Sequence, residues 1–139
     1  MTGAGGAQPA RTRAAVLGYM DALNSHNADR IADCVAVDFE NEHTSMLGTS
    51  VRGRQEYRSR LDDFFARFAD VHYDVEDVIV DGDRAAVPYA MSCKAVGTDD
   101  AWHPVTIRGI FRFRVEGNEL AHRIDYWDGM EFSRQLGGA

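Results

Sequence analysis

From Arg84 to Trp127 the chain alternates apolar and polar residues almost without interruption, and this leaves few architectures open. Period-two alternation belongs to a sheet with one covered face. Val87, Tyr89, Met91 and Cys93 share a face of a long strand over 84–96. Ile107, Gly109, Phe111, Phe113 and Val115 share a face of the next, over 103–115, with Thr106, Arg108, Arg112 and Arg114 opposite. A final strand over 120–128 divides Arg123, Asp125 and Trp127 from His122, Ile124 and Tyr126. Asp81-Gly82-Asp83 and Glu116-Gly117-Asn118-Glu119 are hairpin turns, and Gly97–Ala101 is a third reversal. With a preceding strand over 71–80, the second half reads as an antiparallel meander.

The first half is helical. Val16, Met20 and Leu23 recur at i, i+4 and i+7, which predicts a helix over 10–24 behind a disordered tail at 1–9. Asn27 is an N-cap for a short helix over 28–36. Phe39 to Thr44 has a strand-like pattern, and 45–50 a loop. Gly53 opens a third helix, whose stripe of Tyr57, Leu61, Phe64, Phe65 and Phe68 is amphipathic, and Asp70 ends it. Helices followed by an antiparallel sheet make an α+β domain, expected to run as one unit over 10–137. A long curved sheet wrapped on the third helix leaves a tapering cavity. Inward positions are Tyr19, Phe64, Phe68, Tyr89, Met91, Phe111 and Trp127, with Asn41, His43 and Asp125 as polar exceptions, a composition that suits a ligand pocket. Gly109, inward and mid-strand, marks a bend or a place kept clear of side chain.

The 139 residues carry a net charge of −7, which argues against nucleic acid or an anionic membrane surface as partner. No apolar run is long enough to cross a membrane, and no secretory pattern opens the chain, so a cytoplasmic location is expected. Cys34 and Cys93 stand far apart, read as reduced thiols. His26, His72, His103 and His122 form no ligand-spaced set with them, so no metal is expected.

Asp125 is the anomaly. A carboxyl mid-strand between Ile124 and two aromatics is poorly solvated unless paired. It either holds a structural contact, such as a salt bridge to Arg123 or Arg108, or is kept for its chemistry, with its affinity for protons raised by burial. His43 is either a base titrating near neutrality or a residue closing the sheet's open end, bonded to Asn41 or Glu42. Tyr19 and Tyr89 are donors to a developing oxyanion or ordinary core tyrosines. Phe64, Met91 and Trp127 are pocket wall or core. Asp128 caps the turn that follows.

The order of elements, the stretch FADVHYDVEDVIVDGDRAAVPY and the closing IDYWDGMEFSRQLG resemble the SnoaL-like polyketide cyclases. These belong to the nuclear transport factor 2-like superfamily, alongside ketosteroid isomerase and limonene epoxide hydrolase. The resemblance spans about residues 12–137. It implies a cone-shaped α+β barrel of cystatin-like type, with three N-terminal helices packed on a curved, mostly antiparallel sheet. It also implies a cofactor-independent isomerase, cyclase or dehydratase acting on a hydrophobic, carbonyl-bearing small molecule, with Asp125 and His43 catalytic. Tyr19, Asn41, Phe64, Tyr89, Met91, Phe111 and Trp127 would then bind substrate. Members often pair through the outer sheet face, so a homodimer is expected. The alternative is a non-catalytic ligand-binding or dimerisation module. Epoxide hydrolysis is disfavoured, since Pro88 and Ala90 stand where that enzyme's charged pair belongs. The isomerase's acid falls near Gly109, and its tyrosine near Tyr19 or Met20.

Overall fold

The computed structural model describes residues 3–138. Helix α1 (Gly3–Ser25) precedes α2 (Ala28–Ala32), β1 (Val35–His43), β2 (Val51–Arg52) and α3 (Arg54–Arg67). Strands β3 (Ala69–Val75), β4 (Ile79–Asp81), β5 (Arg84–Val96), β6 (Trp102–Glu116) and β7 (Glu119–Trp127) follow, and α4 (Gly129–Gln135) closes the fold. The sheet order is β2-β1-β7-β6-β5-β3, with β4 also on β5. The barrel expected from the resemblance stays an open, curved sheet, because β2 and β3 lie at its two ends and do not meet.

Four boundaries differ from the sequence reading. The tail expected at 1–9 is helical from Gly3, with Pro9 inside the helix, while Met1 and Thr2 lie outside the described residues. Pro9 forfeits one amide bond early in a helix whose neighbouring alanines favour it. The second helix stops at Ala32, not residue 36, because β-branched Val35 and Val37 enter a strand that buries Val35, Phe39 and Asn41. The strand expected over 71–80 divides at 76–78 into β3 and β4, both paired to β5. A fourth helix, α4, occupies the C-terminal region, where a turn and a frayed end were expected.

The pairing with most consequence is that of β1. It pairs in parallel with β7, the strand farthest from it in sequence. The register sets Asn41 beside Arg123 and His43 beside Asp125. Antiparallel pairing on the other side sets Phe113 beside Arg123, Phe111 beside Asp125 and Gly109 beside Trp127. Tyr89 lies across from Gly109 on β5. All these residues share the inner face, so pairing alone gathers a carboxyl, a guanidinium, an imidazole and a phenol at one end of the sheet. Helices α1 and α3 cover that face, and Val16, Tyr19, Ile31, Phe39, Val87, Phe111 and Phe113 form the solvent-free core between them. Apolar residues also remain on the outer face, among them Ile110 and Tyr126.

Candidate active site

Between α3 and the sheet lies a cavity of about 730 Å³. Its floor and walls include Asn41, His43, Tyr89, Arg123, Asp125 and Trp127, with Phe64 and Met91 on the apolar side. Phe132 and Leu136, on and just after α4, also line it. Phe132 packs edge-on to Trp127 and Phe68, at 5.9 and 5.8 Å between ring centres. A second hollow of similar volume, outside α3, is an open surface groove. Its Arg52, Arg54 and Arg58 already pair with Glu40, Glu119, Asp29 and Asp62.

Asp125 is 6% exposed, and its carboxyl lines the cavity. The Tyr89 hydroxyl donates to Oδ1 at 2.5 Å. Oδ2 lies 3.6 Å from His43 Nδ1, too far for a hydrogen bond. Burial pushes the carboxyl up to about 6, against the opposing pull of Arg123's charge and the Tyr89 hydrogen bond. Neither expected salt bridge forms: Arg108 pairs with Glu76 on the outer face, and Arg123 bonds elsewhere.

Gly109 explains how Tyr89 reaches Asp125. A Cβ there would stand 2.4 Å from the Tyr89 hydroxyl oxygen and 2.6 Å from Cζ. The phenol crosses the sheet through the space this glycine leaves. The position where a ketosteroid isomerase would carry its acid is thus a passage for a neighbouring phenol.

His43 is neutral. Burial, then the charge of Arg123, lowers it to about 3. Its Nδ1 accepts the Trp127 indole N–H at 3.2 Å. Since indole only donates, Nδ1 carries no proton and Nε2 holds it. Gly48 packs on this ring, where a Cβ would fall 2.4 Å from His43 Cβ. The hydrogen bond expected to Asn41 or Glu42 is absent, because Asn41 serves Arg123 and Glu42 serves His122.

Two expected lining residues lie beneath the cavity instead. Tyr19 and Phe111 are wholly buried. The Tyr19 hydroxyl contacts that of Tyr57 at 2.5 Å and accepts from Arg123 Nη1 at 2.7 Å, leaving it committed to the protein. Phe111 stacks under the Arg123 guanidinium, 4.6 Å from ring centre to Cζ. On β5, Pro88 and Ala90 face away from Tyr89 and bring no charge to the cavity. Asp128 caps α4, accepting from the Met130 and Glu131 amides. The pair Asp128 and Glu131, three apart, is the sequence signal of that helix start. Sequence reasoning did not place Tyr57, Tyr73 or Arg123 in the pocket. Tyr57 was hidden in an apolar helical stripe, whereas Arg123 shares the face of Asp125 and was legible by alternation.

A profile of the SnoaL-like domain matches residues 16–123. The chain belongs to the SnoaL-like family. The match ends short of Asp125, so membership in the SnoaL-like family does not by itself speak for that carboxyl. No curated protein matches the sequence. Solved structures do. One is a protein of ketosteroid isomerase-like fold from Catenulispora acidiphila DSM 44928, in complex with trimethylamine: 18% identity, 90% of this chain and 93% of that one, TM-score 0.80. Another, named for SnoaL-like polyketide cyclases, is from Shewanella denitrificans OS-217: 16% identity, 91% and 96%, TM-score 0.80. TerC, co-crystallised with polyporic acid, gives 14%, 92% and 99%, TM-score 0.77. At these identities the likeness establishes the fold.

Among the described residues, Glu40, Glu42 and His122 bring one ligand atom each within 4.8 Å of one another. They lie on the outer face away from the cavity, and Arg52 already neutralises Glu40. No helix among the described residues is long and apolar enough to cross a membrane.

Proposed function

We propose that this SnoaL-like protein is a small-molecule enzyme that moves a proton within the cavity, with Asp125 as general base. The observation that carries the reading is a carboxyl almost wholly buried, yet facing a cavity of ligand size and pushed to about 6. Such a group is largely ionised at neutral pH yet basic enough to take a proton from carbon next to a carbonyl. Oδ1 is held by Tyr89, so Oδ2 is the oxygen for transfer. It would take the substrate's α-proton as the C–H electrons form the new carbon–carbon double bond and the carbonyl π electrons move onto oxygen. Nε2–H of His43 is the donor for that enolate oxygen. Asp125 then returns that proton: to another carbon in isomerisation, to the alkoxide formed when the enolate attacks a second carbonyl in cyclisation, or to a β-hydroxyl that leaves as water in dehydration. His43, expected as an alternative base, serves here as a neutral donor, because its Nδ1 is occupied. The apolar Phe64, Met91 and Trp127 would take the hydrophobic body of the substrate. That two structural relatives hold small organic molecules supports reading the cavity as a ligand site.

The test is deuterium uptake at the α-carbon of 2-tetralone in D2O, followed by NMR. Wild type should exceed buffer, and Asp125→Asn should match it. Equal exchange by both proteins would remove Asp125 from the mechanism. We also propose that the outer face, with Ile110 and Tyr126, pairs two copies; sedimentation as a monomer at micromolar concentration would dismiss it.

A further inference from the structure

The least expected group in the cavity is Arg123. It is 5% exposed and permanently charged. Burying a guanidinium without a paired anion is costly, so its neighbours require an accounting. Nε donates to Asn41 Oδ1 at 2.8 Å, and Nη1 to the Tyr19 hydroxyl at 2.7 Å. Phe111 covers one face of the plane. Every one of these partners is neutral. Among the described residues, no carboxylate oxygen comes within 4.0 Å of the guanidinium nitrogens, and Nη2 has no acceptor. Nη2 is nevertheless not a sealed, unsatisfied donor, since among the described residues no buried side-chain polar atom lacks a partner. Its open side therefore meets the cavity that Arg123 lines.

We propose that Arg123 is the anchor for a permanently ionised oxygen of the ligand, and that the substrate is a hydrophobic carboxylic acid. This deepens the reading of the cavity as a small-molecule site by naming the charge of what enters it. Three features favour a permanent anion. The cation is permanent and Asp125 acts on it only through space, so a contacting anion would serve it in the resting complex and not only during turnover. The side chain is held by two hydrogen bonds and a stacked ring, so the free Nη2 points at a fixed place and loses little freedom on binding. And the neighbouring carboxyl of Asp125 spends its hydrogen bond on Tyr89 rather than on Arg123. The cavity's other arginines differ: Arg60 is paired with Glu56, and Arg67 is exposed to solvent.

The test compares two probes of one shape, 2-naphthoate and 2-naphthamide, binding to the full chain, measured by calorimetry. Wild type is expected to hold naphthoate about tenfold tighter or more, the worth of one hydrogen bond to a charged group. Arg60→Met/Arg67→Met should keep that preference, and Arg123→Met should lose it. Should Arg123→Met fail to fold, the Arg123 guanidinium 15N resonances of wild type replace it: they should shift with naphthoate and not with naphthamide. No naphthoate binding, equal affinity for the two probes, or a preference that vanishes with Arg60 and Arg67 would overturn the proposal. Since no turnover is read, its failure leaves the deuterium-exchange test of Asp125 standing.

Discussion

Replacing Asp125 by Asn removes one negative charge and keeps the shape, with an amide oxygen still able to accept from Tyr89. In an unfolded chain this carboxyl ionises near its ordinary value of 3.8; in the fold, burial holds the proton until about 6. Between those two values the folded state binds more protons than the unfolded one, so wild-type stability falls as pH rises through the window. The penalty is absent below the unfolded value and complete above about 6. Roughly two pH units at 1.36 kcal/mol each make it about 3 kcal/mol. Asn does not titrate. The stability of Asp125→Asn relative to wild type should therefore grow by about 2.5 kcal/mol from pH 4, where the penalty has begun, to pH 8, roughly 10 °C in melting temperature for a domain of this size. His43 works in the opposite sense: lowered from 6.5 to about 3, it makes the fold lose stability as pH falls below 6.5. Both proteins carry that histidine, so its contribution cancels in the difference. Parallel urea titrations at several pH values read the effect. A difference that stays constant from pH 4 to pH 8 would refute the buried, proton-holding carboxyl. A variant more stable at neutral pH yet inactive in exchange is the expected signature of a group kept for chemistry at the fold's expense.

Gly109→Ala should cost about 2–4 kcal/mol and at least tenfold in exchange activity, because the new methyl displaces the Tyr89 hydroxyl and also meets the Tyr126 carbonyl at 2.8 Å; unchanged chemical denaturation would contradict it. Tyr89→Phe removes the hydrogen bond that favours the ionised carboxyl, so the acid limb of the exchange pH profile should move above about 6; a limb that stays or falls would disprove that role. Asp128→Ala should lose about 1 kcal/mol at the start of α4, visible as roughly fivefold faster amide exchange at Met130 and Glu131; unaltered protection there would count against the cap.

The sheet was largely legible because alternation is a local property. β5 begins and ends where the pattern does, at Arg84 and Val96, and the inward set on β6 is the one read from Ile107 to Val115. The parallel partnership of β1 with β7 was not legible, since nothing near Val35 encodes a strand over eighty residues away. That pairing is nevertheless what brings His43 beside Asp125 and Asn41 beside Arg123. Asp125 declared itself through a local conflict, a carboxyl among apolar neighbours. Tyr19 and Tyr89 looked equivalent in sequence, and only depth separates them: one hydroxyl is consumed under Arg123, while the other reaches the carboxyl across Gly109. The last helix has its start signal in Asp128 and Glu131, but Gly129 between them is equally the mark of a turn.

The most direct measurement is the titration of the Asp125 side-chain carbon by 13C NMR in the intact chain. A midpoint near 6 is the result this account requires of a carboxyl shut in with Tyr89 and facing the cavity. A midpoint near 4, that of a carboxyl in open water, would contradict it.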